Sequence, residues 1–200
     1  TIDVVSDFVC PWCFIGARRL DDVLARSAPD ARVSHHPFLL DPTIPLEGVD
    51  LRDRLREKFG RDPTPMFARV ESAAREAGIA LEFAKVRRYP STLRAHALVA
   101  RAEEKGTQRA LARALFQAYF LEGRDLGALD VLADVAAAHG FDREEALAVA
   151  SDAAALEAVR AEAADASAQG IDGVPFFVFD GRVAFSGAQP VAIFERALAS

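Results

Sequence analysis

The sequence predicts an α/β fold in which a βαβ unit and a ββα unit form one domain, interrupted by a large all-helical insertion. Three observations support this: a strand–helix–strand pattern at the start, helical segments without a strand between about 45 and 170, and a hairpin pattern near the end. We therefore predict one domain from residues 1–44 and 169–200, and an inserted helical domain at 45–168.

The first unit begins with the β-branched run Ile2–Ser6, which predicts a buried strand. Apolar residues at spacings of three and four then predict an amphipathic helix (Phe14, Ala17, Leu20 and Leu24). Pro29 and Asp30 end this helix, and residues 32–40 predict a second strand. A strand, a helix and a strand of these lengths are typical of a minimal parallel βαβ unit.

The middle of the chain carries helix start and stop signals. Three helices are predicted between Asp50 and Gly106, and Ser91 is the expected N-cap of the third. Asp142 and Glu145 resemble a capping box. Four further helices are predicted at about 107–122, 127–139, 142–150 and 152–168.

The end of the chain predicts a hairpin and a last helix. Phe176–Phe179 and residues 182–185 are apolar runs, and the Asp180-Gly181 pair between them favours a tight primed turn. Pro190 is placed in the first turn of a helix whose apolar face contains Val191, Phe194 and Leu198.

The composition is that of an ordinary globular chain of 200 residues, with 51% hydrophobic residues and a mean hydropathy of +0.08. Its net charge of −6 argues against a nucleic-acid partner, since binding to phosphates needs a basic face. No apolar run approaches the ~18 residues of a membrane-spanning helix, so no membrane partner is expected.

The first ten residues lack a basic region followed by a long apolar run, which favours a cytoplasmic location. Because the chain begins with Thr1 rather than Met, a removed leader would leave a periplasmic location open.

The only two cysteines lie in the sequence Cys10-Pro11-Trp12-Cys13, where the first strand meets the first helix. A bridge between them closes too small a loop to act as a disulfide scaffold. At a helix N-terminus, unpaired N–H groups and the helix dipole stabilise a thiolate, and Pro11 suits the first turn. We therefore predict a redox pair, with Cys10 as the nucleophile, Cys13 as the resolving thiol, and Trp12 exposed beside them.

Two other interpretations of the cysteines are open. They could be buried small hydrophobic residues, or half of a zinc site. His35 and His36 are the only nearby histidines, and adjacent strand residues point to opposite faces. We therefore predict no metal.

Six segments, in order along almost the whole chain, carry a family resemblance: residues 6–16, 37–40, 92–96, 118–123, 173–177 and 186–189. They resemble the DsbA-like branch of the thioredoxin superfamily, in which a thioredoxin-like fold carries a helical insertion. The likeness is greatest to the FrnE-like group of polyketide-biosynthesis dithiol-disulfide isomerases. It extends more distantly to the kappa-class glutathione transferases and to 2-hydroxychromene-2-carboxylate isomerase.

The resemblance implies a thiol-disulfide oxidoreductase or isomerase that uses a Cys10–Cys13 disulfide, needs no bound cofactor, and acts on a thiol or disulfide substrate. It also implies a cis peptide bond between Val174 and Pro175 that faces the cysteines. The backbone of Val174 would then pair with an extended substrate segment.

The chain departs from the family at one position. Thioredoxin and DsbA resemble each other in having a buried acid six residues before the first cysteine, where this chain has Val4. We expect Asp7 to take over proton transfer to Cys13, and a role as a helix cap is equally open. Near Cys10, its negative charge would oppose thiolate formation.

Two alternative functions are open. The first is a glutathione-dependent transferase or isomerase; these relatives lack the resolving cysteine, so two cysteines favour redox exchange. Glutathione stays open as a co-substrate, because Val174 and the turn with Gly187 and Gln189 could hold it, although that turn could simply cap the last helix. The second alternative is a non-catalytic peptide-binding module. His96 and Tyr119 are expected to be ordinary helix residues of the insertion.

Overall fold

The computed structural model describes residues 1–200 and contains nine helices and six strands. In chain order these are β1 (Ile2–Ser6), α1 (Pro11–Ser27), β2 (Val33–Pro37), β3 (Val49–Asp50), α2 (Leu51–Phe59), α3 (Thr64–Glu76), β4 (Arg88–Tyr89), α4 (Leu93–Glu104), α5 (Gln108–Phe120), α6 (Leu129–Ala137), α7 (Arg143–Ser151), α8 (Ala153–Ala168), β5 (Phe176–Phe179), β6 (Val183–Ser186) and α9 (Val191–Leu198). None of the helices is long and apolar enough to cross a membrane.

A four-stranded sheet joins the two ends of the chain in the order β2-β1-β5-β6. β1 is parallel to β2, with Val4 opposite His35, and antiparallel to β5, with Val4 opposite Phe177. Because both units contribute neighbouring strands to one sheet, the predicted α/β fold class with a helical insertion is confirmed.

The α1 and α9 helices pack on this sheet through a small apolar core. The core contains buried residues of α1, α9, β1 and β5: Ile2, Val4, Leu20, Val23, Leu24, Phe177, Phe179, Phe194 and Ala197. These include the Leu20, Leu24 and Phe194 positions on which the two helices were predicted. Burial of each such large side chain contributes roughly 1.5–3 kcal/mol to folding.

The β5–β6 hairpin has the predicted tight turn. Asp180 and Gly181 have φ values of +48° and +65°, and the Arg182 amide donates to the Phe179 carbonyl over 2.9 Å. Positive φ at both central residues is the requirement of a type I′ turn, which explains the Asp-Gly pair.

A second and larger core joins the helical block to the start of α1. The Phe14 ring stacks on Phe116 and Phe120 of α5, with ring centroids 5.6 and 5.8 Å apart. The first turn of α1 is therefore covered by the inserted helices. The domain boundaries at 44/45 and 168/169 stay a prediction.

Three local predictions for the helical block need correction. The expectation of no strand between 45 and 170 is wrong, because β3 and β4 pair antiparallel over two residues, too few to show an alternating pattern. The N-cap of α4 is Thr92 rather than Ser91, without a side-chain cap bond. The capping box is half formed: Asp142 accepts from the Glu145 amide at 2.7 Å, whereas the Glu145 carboxylate binds Lys105.

The β2 edge of the sheet is closed by a side chain of the helical block. The His35 amide donates to the Gln108 side-chain oxygen at 2.9 Å, and the Gln108 amide group donates to the His35 carbonyl at 3.3 Å. Pro37, two residues after His35 on the same edge, has no N–H group. The outward polar groups of His35 are therefore paired.

Candidate active site

Cys10 and Cys13 lie at the N-terminus of α1, where the sequence predicts them. A turn between the Asp7 carbonyl and the Cys10 amide, 3.0 Å apart, ends the extended chain after β1. Cys10 is the N-cap residue with an extended backbone (φ −89°, ψ 110°), and Pro11 is the first helical residue. The Cys10 carbonyl accepts from the amides of Cys13 and Phe14 at 3.0 and 3.3 Å, which places the two cysteines one turn apart.

Both cysteines are free thiols and both are buried, with 4% of Cys10 and 1% of Cys13 exposed. Burial raises the pKa of the Cys13 thiol, and its hydrogen bond and electrostatic interaction with Cys10 raise it further. A backbone hydrogen bond from Asp7 lowers this pKa, whereas the negative charge of Asp7 raises it. Cys13 is therefore held as a protonated thiol that needs a base before it can act as a nucleophile.

The loop before β5 reaches the same place. The peptide bond between Val174 and Pro175 is cis, the geometry that the resemblance implied. The Cys10 thiol donates to the Val174 carbonyl, with 3.7 Å between Sγ and O. Residues 164 positions apart in the chain thus meet at the Cys10 sulfur.

Trp12 is half-buried rather than exposed. Its side chain packs against the larger core at the start of α1. Most residues of that core belong to the inserted helices, whose position in space the sequence does not give.

Asp7 does not cap α1, so the helix-cap interpretation is wrong: that helix has no side-chain cap bond. Asp7 is 1% exposed, and its Oδ2 accepts from the Leu40 amide at 2.8 Å. Its Oδ1 has no hydrogen-bond partner and lies 3.6 Å from Nε2 of His96, which is also without one.

His96 is a core residue of α4, 4% exposed, with its ring 4.6 Å from the ring of Phe8. It is 89 residues from Asp7 in the chain, and no local sequence signal connects the two. The Asp7–His96 pair is the part of the site that sequence reasoning missed.

Two buried tyrosines complete the surroundings. Burial raises the pKa of Tyr89, and the charges of Asp7 and Asp41 raise it further. Burial likewise raises the pKa of Tyr119, whose hydroxyl donates to the Arg88 carbonyl at 2.8 Å. Both phenols are therefore neutral near pH 7. Tyr89 was not recognised from the sequence.

The turn that contains Gly187 and Gln189 is fixed beside Pro175. The Gly187 amide donates to the Pro175 carbonyl at 2.7 Å, and the Gln189 side chain donates to the Ser186 carbonyl at 2.8 Å. Arg19 of α1 donates to the carbonyls of Ala188 and Gln189. The turn does not cap the last helix, since α9 has no side-chain cap bond.

No group of three His, Cys, Asp or Glu side chains is placed to hold a metal ion. Of the two histidines near the cysteines in the sequence, the His36 ring is bound to carboxylates, whereas the His35 ring nitrogen Nδ1 is buried without a partner. His36 contacts Asp3 at 3.2 Å and Glu162 at 2.9 Å, and the backbone of His35 pairs with Gln108.

Residues 1–199 match the family model of the DSBA-like thioredoxin domain. A probable DsbA oxidoreductase from Streptomyces coelicolor is 32% identical, with a TM-score of 0.87 over 99% of this chain and 88% of that one. A 2-hydroxychromene-2-carboxylate isomerase is 19% identical (TM-score 0.71, 99% and 94% covered). The cytosolic disulfide reductase DsbM from Pseudomonas aeruginosa, in a structure with glutathione, is 21% identical (TM-score 0.68, 100% and 99% covered).

The last two likenesses show a shared fold, and the first, together with the family match, supports a general thiol-disulfide oxidoreductase role. The likeness to the FrnE-like group stays a prediction. With the match spanning nearly every residue, the resemblance to the DsbA-like branch is confirmed: the chain belongs to the family of DSBA-like thioredoxin domains.

Proposed function

We propose that the protein catalyses thiol-disulfide exchange through the pair Cys10 and Cys13, on a thiol or disulfide substrate. The observation that carries the proposal is the placement of Cys10. It stands at the N-cap of α1, its thiol contacts the carbonyl before Pro175, and a second thiol lies one helical turn behind it.

The reductive direction takes two steps. The Cys10 sulfur, as a thiolate, attacks a substrate disulfide and forms a mixed disulfide, while the first substrate sulfur leaves with the electron pair of the broken bond. Cys13, after losing its proton, then attacks the Cys10 sulfur and releases the second substrate sulfur. Two substrate thiols and one Cys10–Cys13 disulfide result, and the oxidative direction is the reverse.

The roles of the two cysteines follow from their positions. The Cys10 sulfur lies at the helix end, where unpaired N–H groups favour negative charge and where the Val174 carbonyl lines the approach. Cys13 is deeper and more buried, so a substrate meets Cys10 first.

Enzyme assays on two single variants test the proposal. Cys10→Ser should abolish catalysed reduction of insulin by dithiothreitol, because the attacking sulfur is gone. Cys13→Ser is the matched control: it keeps the attack but cannot resolve it, so mass spectrometry should find trapped mixed disulfides. If the wild-type protein catalyses insulin reduction no faster than Cys10→Ser does, the redox proposal is wrong.

A measurement of the reduction potential determines the direction of exchange. Related dithiol sites span reduction potentials from about −270 to −120 mV, set by how far the reduced form is stabilised. Equilibration with glutathione buffers, read by Trp12 fluorescence, gives the value for this chain. A potential near the lower limit would make the protein a reductase, and one near the upper limit an oxidase or isomerase.

We also propose glutathione as a co-substrate. The support is the shared fold with DsbM, whose structure contains glutathione, and the turn at Gly187 held against Pro175. Conjugation or isomerisation that survives in Cys13→Ser would instead favour a glutathione transferase or isomerase. Peptide binding that is unchanged when both cysteines are replaced would favour a binding module.

A cytoplasmic location, compatible with the description of DsbM as cytosolic, stays a prediction.

A further inference from the structure

A groove of about 250 Å³ lies between the end of α2 and the start of α3, on the inserted helices. Its walls include Phe59 at the end of α2, Arg61 and Asp62 in the turn between the helices, and Met66 and Arg69 of α3. We call it the α2–α3 groove. None of these residues belongs to the cysteine site.

Phe59 is the apolar part of the α2–α3 groove. At 49% exposure it is the only large hydrophobic side chain of the chain that is exposed. Isolated apolar residues are common on protein surfaces, but Phe59 shares a concave surface with Met66. Methionine adapts its shape to varied apolar partners. The groove therefore offers a contact for an apolar side chain of another molecule.

Arg61 and Arg69 supply the charge of the groove. Both side chains are exposed, and neither forms an ion pair or a hydrogen bond within the protein. Arg54 and Arg56 of the neighbouring α2 are by contrast paired with carboxylates. The guanidinium groups of Arg61 and Arg69 are therefore available to carboxylates from outside, for which arginine has matching geometry.

The carboxylate of the groove does not cancel these two cations. Asp62 accepts from the Thr64 amide at 3.2 Å and from the Thr64 hydroxyl at 3.0 Å. Two arginines and one aspartate leave a local positive charge on a chain whose net charge is −6. An acidic segment is thus repelled by the molecule as a whole and attracted at this groove.

Hydrogen bonds link the end of α2 to the loop of Cys10. Lys58, the neighbour of Phe59, donates to the Leu40 carbonyl at 3.0 Å. The Leu40 amide donates to Asp7 Oδ2 at 2.8 Å, and the Asp7 carbonyl accepts from the Cys10 amide at 3.0 Å. These contacts limit the path from Phe59 to Cys10 to at most about 30 Å, which about nine residues of extended chain can span.

We propose that the α2–α3 groove binds acidic segments of protein substrates, and that it holds a disulfide or thiol of the same substrate within reach of Cys10. The inference rests on the proposed exchange through Cys10 and names its substrate class. Phe59 and Met66 contact an apolar side chain of the segment, and Arg61 and Arg69 bind the carboxylates beside it. Binding at the groove raises the effective concentration of the linked disulfide at Cys10.

Two peptides test this selectivity. Both contain the same disulfide and a tail of about nine residues, which alternates Glu with Leu in one and Gln with Leu in the other. We expect the reduced protein to reduce the Glu-containing peptide on the order of 10-fold faster at low salt. The difference should disappear at about 1 M salt, where the Debye length is only about 3 Å.

Substitutions assign the effect to the groove. The double variant Arg61→Glu, Arg69→Glu should lose the preference for the acidic peptide, because it repels the carboxylates. Phe59→Ser should slow the reduction of both peptides, because both contain leucine. Arg75→Glu is the matched control: Arg75 is an exposed and unpaired arginine of α3 outside the groove, and its replacement should keep the preference.

Circular dichroism checks the fold of each variant, and the salt dependence of the wild-type protein decides the question if a variant does not fold. Equal rates for the two peptides at low salt, or an equal loss of preference in Arg75→Glu, would overturn the inference. So would a wild-type dimer that Phe59→Ser converts to monomers in sedimentation experiments, since a second copy would then cover the groove. If the wild-type protein reduces neither peptide faster than Cys10→Ser does, the proposed function itself is wrong.

Discussion

At the scale of single residues, Gly16 sets how closely α1 approaches the loop of Pro175. A Cβ atom at this position would lie 3.0 Å from both Pro175 Cγ and Phe177 Cζ, closer than ordinary carbon contacts. The absent side chain lets the helix that carries both cysteines lie directly against the residue that follows Val174. The family-like segment 6–16 thus ends at a glycine, whose lack of a side chain allows this close packing.

Substitution of this glycine tests that reading. We expect Gly16→Ala to lower the free energy of unfolding by up to ~2 kcal/mol, since overpacking costs about 1–3 kcal/mol and the gain in helix propensity is about 1 kcal/mol. Urea denaturation measures the difference. A variant more stable by the propensity gain alone would show that Pro175 and Phe177 move aside freely.

At the scale of elements, three helices begin with a side-chain cap and α1 does not. α2, α7 and α8 begin with an aspartate whose side chain accepts backbone N–H groups of the first turn: Asp50, Asp142 and Asp152. α1 begins instead with Cys10, which makes no such bond. Its first-turn N–H groups therefore have no side-chain acceptor, as in α4 and α9.

The cap of α7 can be tested without touching the site. Asp142→Ala should destabilise the protein by about 1 kcal/mol, because the Glu145 amide loses its acceptor at 2.7 Å. Glu144→Ala is the control two positions on; it removes an exposed charge of the same turn but no capping bond. Thermal or urea denaturation of the two variants gives the comparison, and equal losses would contradict the role of the cap.

At the scale of the whole molecule, ionic contacts tie the helical block to the sheet. His36 of β2 contacts Asp3 of β1 and Glu162 of α8, so one side chain joins three elements. The hydrogen bond with Glu162 raises the pKa of His36, burial opposes this, and Asp3 adds to the rise. Protonation of His36 therefore favours the docked arrangement.

This contact predicts a pH-dependent contribution to stability. A pKa raised in the folded state means that the contribution is fully present below the unfolded value of about 6.5 and is lost as pH rises through the folded value. With 39% of the side chain exposed, we expect on the order of 0.5–1 kcal/mol. Urea denaturation of wild type and His36→Gln should show that difference near pH 5.5 and almost none near pH 9. A constant difference would contradict it.

An element could be predicted from the sequence where its signal lies in neighbouring residues. β1, α1 and the Asp180-Gly181 turn were predictable, because a β-branched run, helical spacing and turn chemistry act over neighbouring residues. Two-residue strands such as β3 show no period, and the choice between Ser91 and Thr92 as a cap depends on backbone geometry.

The candidate site divides in the same way. The cysteine pair was predicted from its motif, and the cis bond before Pro175 was predicted from the family resemblance. The contact between Asp7 and His96 could not be predicted, because it depends on how α4 packs against β2 and the other inserted helices, and no spacing rule spans 89 residues. Long-range contacts of this kind are visible only in the folded molecule.

The closure of the β2 edge by Gln108 limits how this protein could self-associate. A strand from another copy finds the outward amide and carbonyl of His35 occupied, so the sheet is free to lengthen only beside β6. If two copies paired through their β6 edges, the edge of β2 would remain closed in each copy, and a third copy could not pair with the sheet. Edge-to-edge pairing of this sheet would therefore stop at two copies rather than extend into a fibril.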